Sequence, residues 1–203
     1  MPGETMRTTE AYDRIAERYA EYWSERKFVE RPLMLFGGLL AESDRVLDAG
    51  CGPGYDGALL RQRGLYVIGL DRSHGMLLAG RERYPGPYLQ GDLRSIPLPS
   101  QSMNGVWASA SLLHLPRDEF YQALHECARV LASGGLIYIS LREGEGERWQ
   151  AEVWGEDYQR FYTYWQEDAL DEALAAEGFT TMIAGWRDRD DPLVWLNRVM
   201  RKG

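Results

Sequence analysis

Val46-Leu47-Asp48-Ala49-Gly50-Cys51-Gly52-Pro53-Gly54 decides the fold. Val46 and Leu47 are apolar, the first of them β-branched, and read as the end of a buried strand. An acid follows, then glycine at every second position. A chain that bends this tightly needs the backbone freedom that glycine supplies. Missing side chains also let a ligand lie against the main chain. Residues 55–62 read as a helix, so the glycines sit at its start, where N–H groups lack intrahelical partners. The stretch predicts a strand, a ligand-holding loop and a helix.

Outward from the loop, strand patterns recur at residues 45–48, 66–71, 88–91, 105–109 and 136–141. Most are apolar throughout rather than alternating, as in parallel strands covered on both faces. Helical patterns fill 55–62, 73–84 and 118–131. Strand and helix in alternation predict an open, doubly wound α/β sheet with right-handed crossovers. Ahead of it, Tyr12, Ile15, Ala16, Tyr19 and Trp23 share one face of a helix over 9–24, capped by Thr8 or Thr9. A second helix over 28–42 carries Pro32 near its start. Behind it, a helix over 167–177 stops at Gly178. Strands at 179–186 and 194–200 follow, joined by a charged turn at 188–191, and so pair antiparallel.

The chain's 203 residues suit one domain with a substantial core. We divide it into a helical cover (1–43), a cofactor half (44–142) and a substrate-side half with a terminal hairpin (143–203). A formal charge of −8 disfavours a nucleic-acid partner. The first ten residues lack the apolar core of a signal peptide, and the longest apolar run, 32–41, is too short to span a bilayer. Two cysteines, Cys51 and Cys127, make no disulfide framework and suggest a reducing compartment. A cytoplasmic protein without a membrane partner is expected.

Three acids at successive strand ends carry the chemistry. Asp48 before the glycines would repel a pyrophosphate and suits a ligand with an ammonium or sulfonium group. Asp71 ends the second strand, where an acid accepts hydrogen bonds from ribose hydroxyls; capping the helix that follows is the plainer role, and the two are compatible. Asp92 ends the third, where it would accept from the exocyclic amine of an adenine, with the Leu93 N–H facing a ring nitrogen. A plain turn aspartate is the alternative.

Taken with Asp71 and Asp92, VLDAGCGPG resembles the first motif of the class I S-adenosylmethionine-dependent methyltransferases, in particular their small, single-domain type 11 group. GLDRSHGML, GDLRSIPLP, GVWASASLLHL and VLASGGLIYISL resemble the segments that follow, and AYDRIAERYAEYW is similar to the helical cover of that group. The resemblance implies a seven-stranded, Rossmann-like sheet, parallel except for the last strand in an antiparallel hairpin. It implies S-adenosylmethionine as cofactor and S-adenosylhomocysteine as product. Asp48, Gly50 and Gly52 would border the methionine part, Asp71 the ribose, and Arg72 or Met76 the adenine, which Asp92 and Leu93 would read. Ser109 would lie near the methionine end, and Tyr12 and Tyr19 would close over the cofactor or simply pack in the core.

Methyl transfer is an in-line displacement that asks mainly for alignment and exclusion of water. His114, just beyond the fourth strand, is the candidate base, since histidine titrates near neutral pH; a structural role competes. His74, His114, His125 and the cysteines lack metal-ligand spacing, so no metal is predicted. The segment 149–165 is rich in aromatics, among them Trp149, Trp154 and Tyr162, and would wall a flat or apolar acceptor, unless it is a satellite core. Arg142 and Arg160 would hold an acceptor's carboxylate or phosphate, with ordinary ion pairs as the alternative. The expected enzyme methylates a small molecule. Methylation of tRNA or protein, a nicotinamide-dependent oxidoreductase and a non-catalytic cofactor-binding module are the other readings.

Overall fold

A computed structural model describes residues 3–24, 29–151, 155–184 and 194–203. Strands β1 (Arg45–Ala49), β2 (Tyr66–Asp71), β3 (Tyr88–Gln90), β4 (Met103–Ser109) and β5 (Leu131–Arg142) run parallel. With β8 (Phe179–Ala184) and β9 (Trp195–Lys202) they form a seven-stranded sheet in the order β3-β2-β1-β4-β5-β9-β8. Only β9 runs against the rest, inserted antiparallel between β5 and β8. Helices α1 (Glu4–Tyr22), α2 (Glu30–Gly37), α3 (Tyr55–Arg61), α4 (His74–Arg81), α5 (Arg117–Val130) and α6 (Glu167–Ala176) flank it. The doubly wound sheet and its antiparallel end agree with the sequence reading.

Register sorts the strand side chains onto two faces, because successive residues point opposite ways. Leu47, Val106 and Ile137 lie side by side across three strands and pack in the larger core. One residue on, Asp48, Trp107 and Tyr138 form the adjacent row. Trp107 stacks on Tyr138 at 4.0 Å and packs with Phe36 of α2 in the smaller core. Its indole N–H donates to Asp56 of α3 at 2.9 Å, so this buried ring has its polar atom satisfied. That register places Asp48 beneath α3, close to Gly57 and 3% exposed.

The ends of elements depart from expectation where tertiary contacts override propensity. The first helix starts at Glu4, so Thr8 and Thr9 lie inside it rather than capping it. The Thr9 hydroxyl donates back to the Thr5 carbonyl, and the Thr8 hydroxyl accepts the Phe161 N–H at 3.0 Å. The helix expected over 28–42 is the shorter α2; Phe28 lies outside the described residues, as do the turn at 188–191 and the strand residues beyond 184. Leu131 belongs to β5 rather than to the helix before it. The aromatic segment contains a second, two-stranded sheet, β6 (Glu147–Gln150) antiparallel to β7 (Arg160–Thr163), that the sequence reading did not anticipate.

Candidate active site

The C-terminal ends of β1, β2, β3 and β4 open into a cleft roofed by α1. The turn after β1 forms its floor. Gly50, Gly52 and Gly54 have φ of 76°, 53° and 91°, a region that costs any other residue energy. At Gly50 and Gly54 space adds to the demand, since a Cβ there would overlap the Ser111 side chain or the Tyr88 ring. Gly52 differs. Nothing lies within 4 Å of where its Cβ would stand, and it lines the cleft.

The loop does not offer the free N–H groups the sequence suggested. Gly50 and Cys51 donate to the Leu70 carbonyl at 2.8 and 3.0 Å, and Gly54 donates to the Cys51 carbonyl at 2.9 Å. Gly52 donates to Asp71 Oδ2 at 2.7 Å. A phosphate cradle needs amides aimed at the ligand, and these four already have protein acceptors. Asp71 also accepts the Ser73 N–H at 2.8 Å, so it joins the glycine loop to the start of α4. Burial pushes its pKa up, against the backbone hydrogen bonds from Ser73 and Gly52 that favour the ionised form.

Asp92 is saturated. Arg94 donates from its backbone N–H and Nε to Oδ1 at 2.9 and 3.0 Å, and from Nη2 to Oδ2 at 2.6 Å. Arg72 donates to Oδ2 at 2.9 Å. Burial raises the Asp92 pKa, but the hydrogen bonds and charge of Arg94, with the charge of Arg72, outweigh it and hold the carboxyl below its ordinary range. Arg94 also pairs with Glu119 at 2.7 Å, and Glu119 accepts from the Thr5 hydroxyl of α1.

Helix α1 is tied down along its length. Asp13 accepts from the Ser73 hydroxyl and the Gly75 N–H at 2.6 and 2.8 Å, while Ser73 caps α4 through Met76 N–H. Met76, 1% exposed, packs with Ile15, Ala16 and Ala20. Further along the cleft, Tyr12 meets His114. His114 Nδ1 lies 2.7 Å from the Phe161 carbonyl, which can only accept, so the proton is on Nδ1. Nε2 is therefore the acceptor, and the Tyr12 hydroxyl 2.7 Å away donates to it. The Tyr12 oxygen in turn accepts from Arg160 Nη1 at 3.1 Å. Burial, then the nearby Arg160 charge, pushes the His114 pKa down to about 3 despite the Phe161 hydrogen bond. The imidazole is neutral throughout the physiological range, the opposite of the neutral-pH titration expected from sequence.

Of the residues named from sequence, Tyr12, Tyr19, Gly50, Gly52, Asp71, Arg72, Met76, Asp92, Leu93, Ser109 and His114 line the cleft. Asp48 does not, for the reason of register given above. Neither do the acceptor candidates. Tyr162 packs edge-on to His114, with Arg142 and Arg160 over its ring at 4.4 and 5.7 Å. Trp149 lies beyond α1, beneath the Arg7 guanidinium at 4.1 Å, in a separate surface depression. Phe161, Tyr162, Tyr164 and Trp165 are buried core residues. Trp154 lies outside the described residues. Sequence reasoning missed Ser111, which lines the cleft and whose buried hydroxyl has no partner among the described residues. Its signal was its place two residues past β4, in a segment already singled out.

Residues 47–139 match the family model described as a methyltransferase domain. A malonyl-[acyl-carrier protein] O-methyltransferase of Salmonella typhimurium is 30% identical over 184 residues, 87% of this chain and 67% of that protein. The chain belongs to the S-adenosylmethionine-dependent methyltransferases. The protein of the same description from Serratia marcescens is 36% identical over 147 residues, 69% of this chain and 56% of that one. The chain thus spans about half the length of several curated relatives it matches. Among solved structures, a Burkholderia thailandensis 1,6-didemethyltoxoflavin-N1-methyltransferase, bound to 1,6-didemethyltoxoflavin and S-adenosylhomocysteine, superposes with a TM-score of 0.81. It covers all of this chain and 91% of its own at 20% identity, a likeness of fold.

The cleft of this methyltransferase fits its cofactor. The open space above Gly52 lets a ligand rest on the main chain, and the Ser111 hydroxyl awaits a polar partner. The committed loop amides suit a ligand without phosphates. Among the described residues no three His, Cys, Asp or Glu side chains gather as metal ligands, and no helix is long and apolar enough to cross a membrane.

Proposed function

We propose that this methyltransferase acts on a small molecule whose nucleophile is reactive at neutral pH without help from a protein base. The observation that carries this reading is the neutral, doubly hydrogen-bonded His114, the histidine of the cleft. A group with a pKa of about 3 is a poor proton acceptor at pH 7. A carboxylate or an unprotonated ring nitrogen needs none.

S-adenosylmethionine, when bound, supplies a methyl group on a sulfonium whose departure leaves a neutral thioether. The protein's part is to hold and align. The glycine loop bears the methionine portion, with Gly50, Gly52, Ser109 and Ser111 around it. Asp71 holds the ribose through lone pairs not already used by Gly52 and Ser73. Met76, Arg72 and Leu93 flank the adenine. Tyr12 and Tyr19, on α1, roof the methionine end and exclude water. Asp48 acts from below through its charge rather than by contact. Arg142, Arg160 and Tyr162 stand behind Tyr12 and His114 and shape the acceptor side indirectly. The chain works as one cytoplasmic domain, and its acidity argues against a nucleic-acid acceptor.

A second reading has its own support. Several curated relatives carry the name malonyl-[acyl-carrier protein] O-methyltransferase. An acyl group ending in a carboxylate and carried on a protein would also react without a base. One experiment separates the two: methyl-labelled cofactor incubated with a panel of small carboxylic acids and nitrogen heterocycles, and in parallel with malonyl-loaded acyl-carrier protein. Transfer to small molecules alone supports the proposal. Transfer only to the loaded carrier replaces it with the second reading.

A further inference from the structure

Asp92 stands where a carboxylate would read the purine, yet its geometry leaves no room for that task. An ionised carboxylate offers about four acceptor positions. Arg94 fills two on Oδ1, and Arg94 and Arg72 fill two on Oδ2. Three of these bonds come from guanidinium groups, and charge-assisted bonds of this kind are about twice as strong as neutral ones. An adenine amine is a neutral donor. To reach Asp92 it would have to displace Arg72, the Arg94 N–H or one arm of the bidentate Arg94. That arginine is itself held, since Glu119 accepts from Arg94 at 2.7 Å and is fixed by Thr5 on α1. The Asp92 and Arg94 side chains are only 28% and 25% exposed, so water is a poor substitute for a lost partner.

We propose that Asp92 anchors Arg72 and Arg94 instead of reading the purine's 6-amino group, and that Arg94 thereby makes the cofactor cleft indifferent to that amine. The inference rests on the cleft binding S-adenosylmethionine. It assigns Arg94 as a specificity-determining residue that acts through Asp92. The carboxylate's role becomes mechanical, joining the end of β3 through Arg94 and Glu119 to the start of α1. Removing the Arg94 side chain would free one position on each oxygen, the backbone N–H of residue 94 staying on Oδ1, and create a selectivity the native cleft lacks.

Calorimetry on the whole chain tests this with S-adenosylhomocysteine and its 6-deamino analogue, in which purine replaces adenine. The two should bind within about threefold of one another, less than 1 kcal/mol apart. An analogue about tenfold or more weaker overturns the proposal. In Arg94→Met, a preference for S-adenosylhomocysteine of about tenfold should appear, as expected for a neutral donor meeting a freed carboxylate. If that variant folds and no preference appears, Arg94 has no such role. Asp92→Ala supplies an independent check. It should weaken both ligands by the same factor, whereas loss confined to S-adenosylhomocysteine would restore Asp92 as the amine's reader and sink the proposal. Failure of S-adenosylhomocysteine itself to bind the folded wild-type chain is a different result, and it removes the cofactor assignment along with this one.

Discussion

The two ends of the cleft are built in opposite ways. At the cofactor end, consecutive turns of chain supply neighbouring parts: the loop at Gly50 to Gly54 touches Asp71, and Asp71 touches Ser73. At the acceptor end, three segments far apart in sequence meet, with Tyr12 from α1, His114 from the turn after β4, and Arg160 and Phe161 from β7. The first end is fixed by local backbone geometry and the sheet. The second is fixed by a chain of hydrogen bonds with only one consistent direction, from Arg160 through Tyr12 and His114 to the Phe161 carbonyl. Substitutions at the first end should therefore act on cofactor affinity, and those at the second on fold stability and turnover.

The largest effect should come from Gly50→Ala. Its φ of 76° disfavours alanine, and the new methyl would overlap Ser111. We expect a loss of about 2–4 kcal/mol in stability and at least about 100-fold in S-adenosylhomocysteine affinity. Chemical denaturation and calorimetry measure the two. Near-native values would show that the loop is looser than its contacts imply, and the contrast between the ends would weaken.

The next effect is a pH dependence carried by the other end. The His114 pKa is pushed down to about 3 in the fold, while the unfolded chain titrates near 6.5. Between those values the unfolded state binds the proton and the folded state does not, so stability rises with pH across that window. It is complete above about pH 6.5, and on the order of 2–3 kcal/mol is lost by about pH 4.5. The raised pKa of Asp71 has the opposite slope, in a window above its ordinary carboxylate value. Urea denaturation of wild type and His114→Gln at pH 4.5 and 7.5 isolates the histidine, since only wild type should carry its share of the slope. Equal slopes would mean that the imidazole is not buried neutral.

Legibility in the sequence follows the same division. The parallel strands announce themselves as apolar runs because both faces are covered, and the glycine loop because positive φ demands glycine. Those features are local, and the doubly wound class of the sheet and the place of the cleft floor followed from them. Asp48 was legible as an acid before the glycines, but whether it faced the cleft depended on register with Trp107 and Tyr138, a non-local fact. The saturation of Asp92 depended on Arg94 two residues on and Arg72 twenty residues back, with nothing in their spacing to say which would turn inward. The aromatics between Trp149 and Trp165 read as a substrate wall or as a satellite core. Tyr162, Tyr164 and Trp165 instead join the main core beside Phe120 and Leu170, a packing that depends on contacts far away in sequence.

A third substitution sharpens the cofactor end. Asp71→Asn keeps the shape but turns one oxygen into a donor facing the Gly52 or Ser73 N–H, at sites now bonded at 2.7 and 2.8 Å. Losing a charge-assisted bond costs about 1.5–3 kcal/mol. Part of that loss should appear as weaker S-adenosylhomocysteine binding, by about tenfold, if the carboxyl that holds the loop also holds the ribose as proposed. A folded Asp71→Asn chain with unchanged affinity would remove Asp71 from the ribose.

The smallest effect on binding, and the most informative about the acceptor end, belongs to Tyr12→Phe. The ring stays, so its edge contact with Tyr19 at 5.6 Å and its cover over the cleft persist. Only the hydroxyl goes, and with it the donor to His114 and the acceptor for Arg160. His114 Nε2 then loses that partner in a buried place, a cost of about 1–3 kcal/mol in stability. S-adenosylhomocysteine affinity should fall by less than about threefold. Turnover, once an acceptor is in hand, should fall by about tenfold through loosened alignment, with no new inflection near pH 6.5 in wild type or variant, since neither depends on a titrating imidazole. An inflection near 6.5 that disappears in Tyr12→Phe would instead mean that Tyr12 and His114 move a proton during transfer, and the acceptor would then be a group that needs deprotonation.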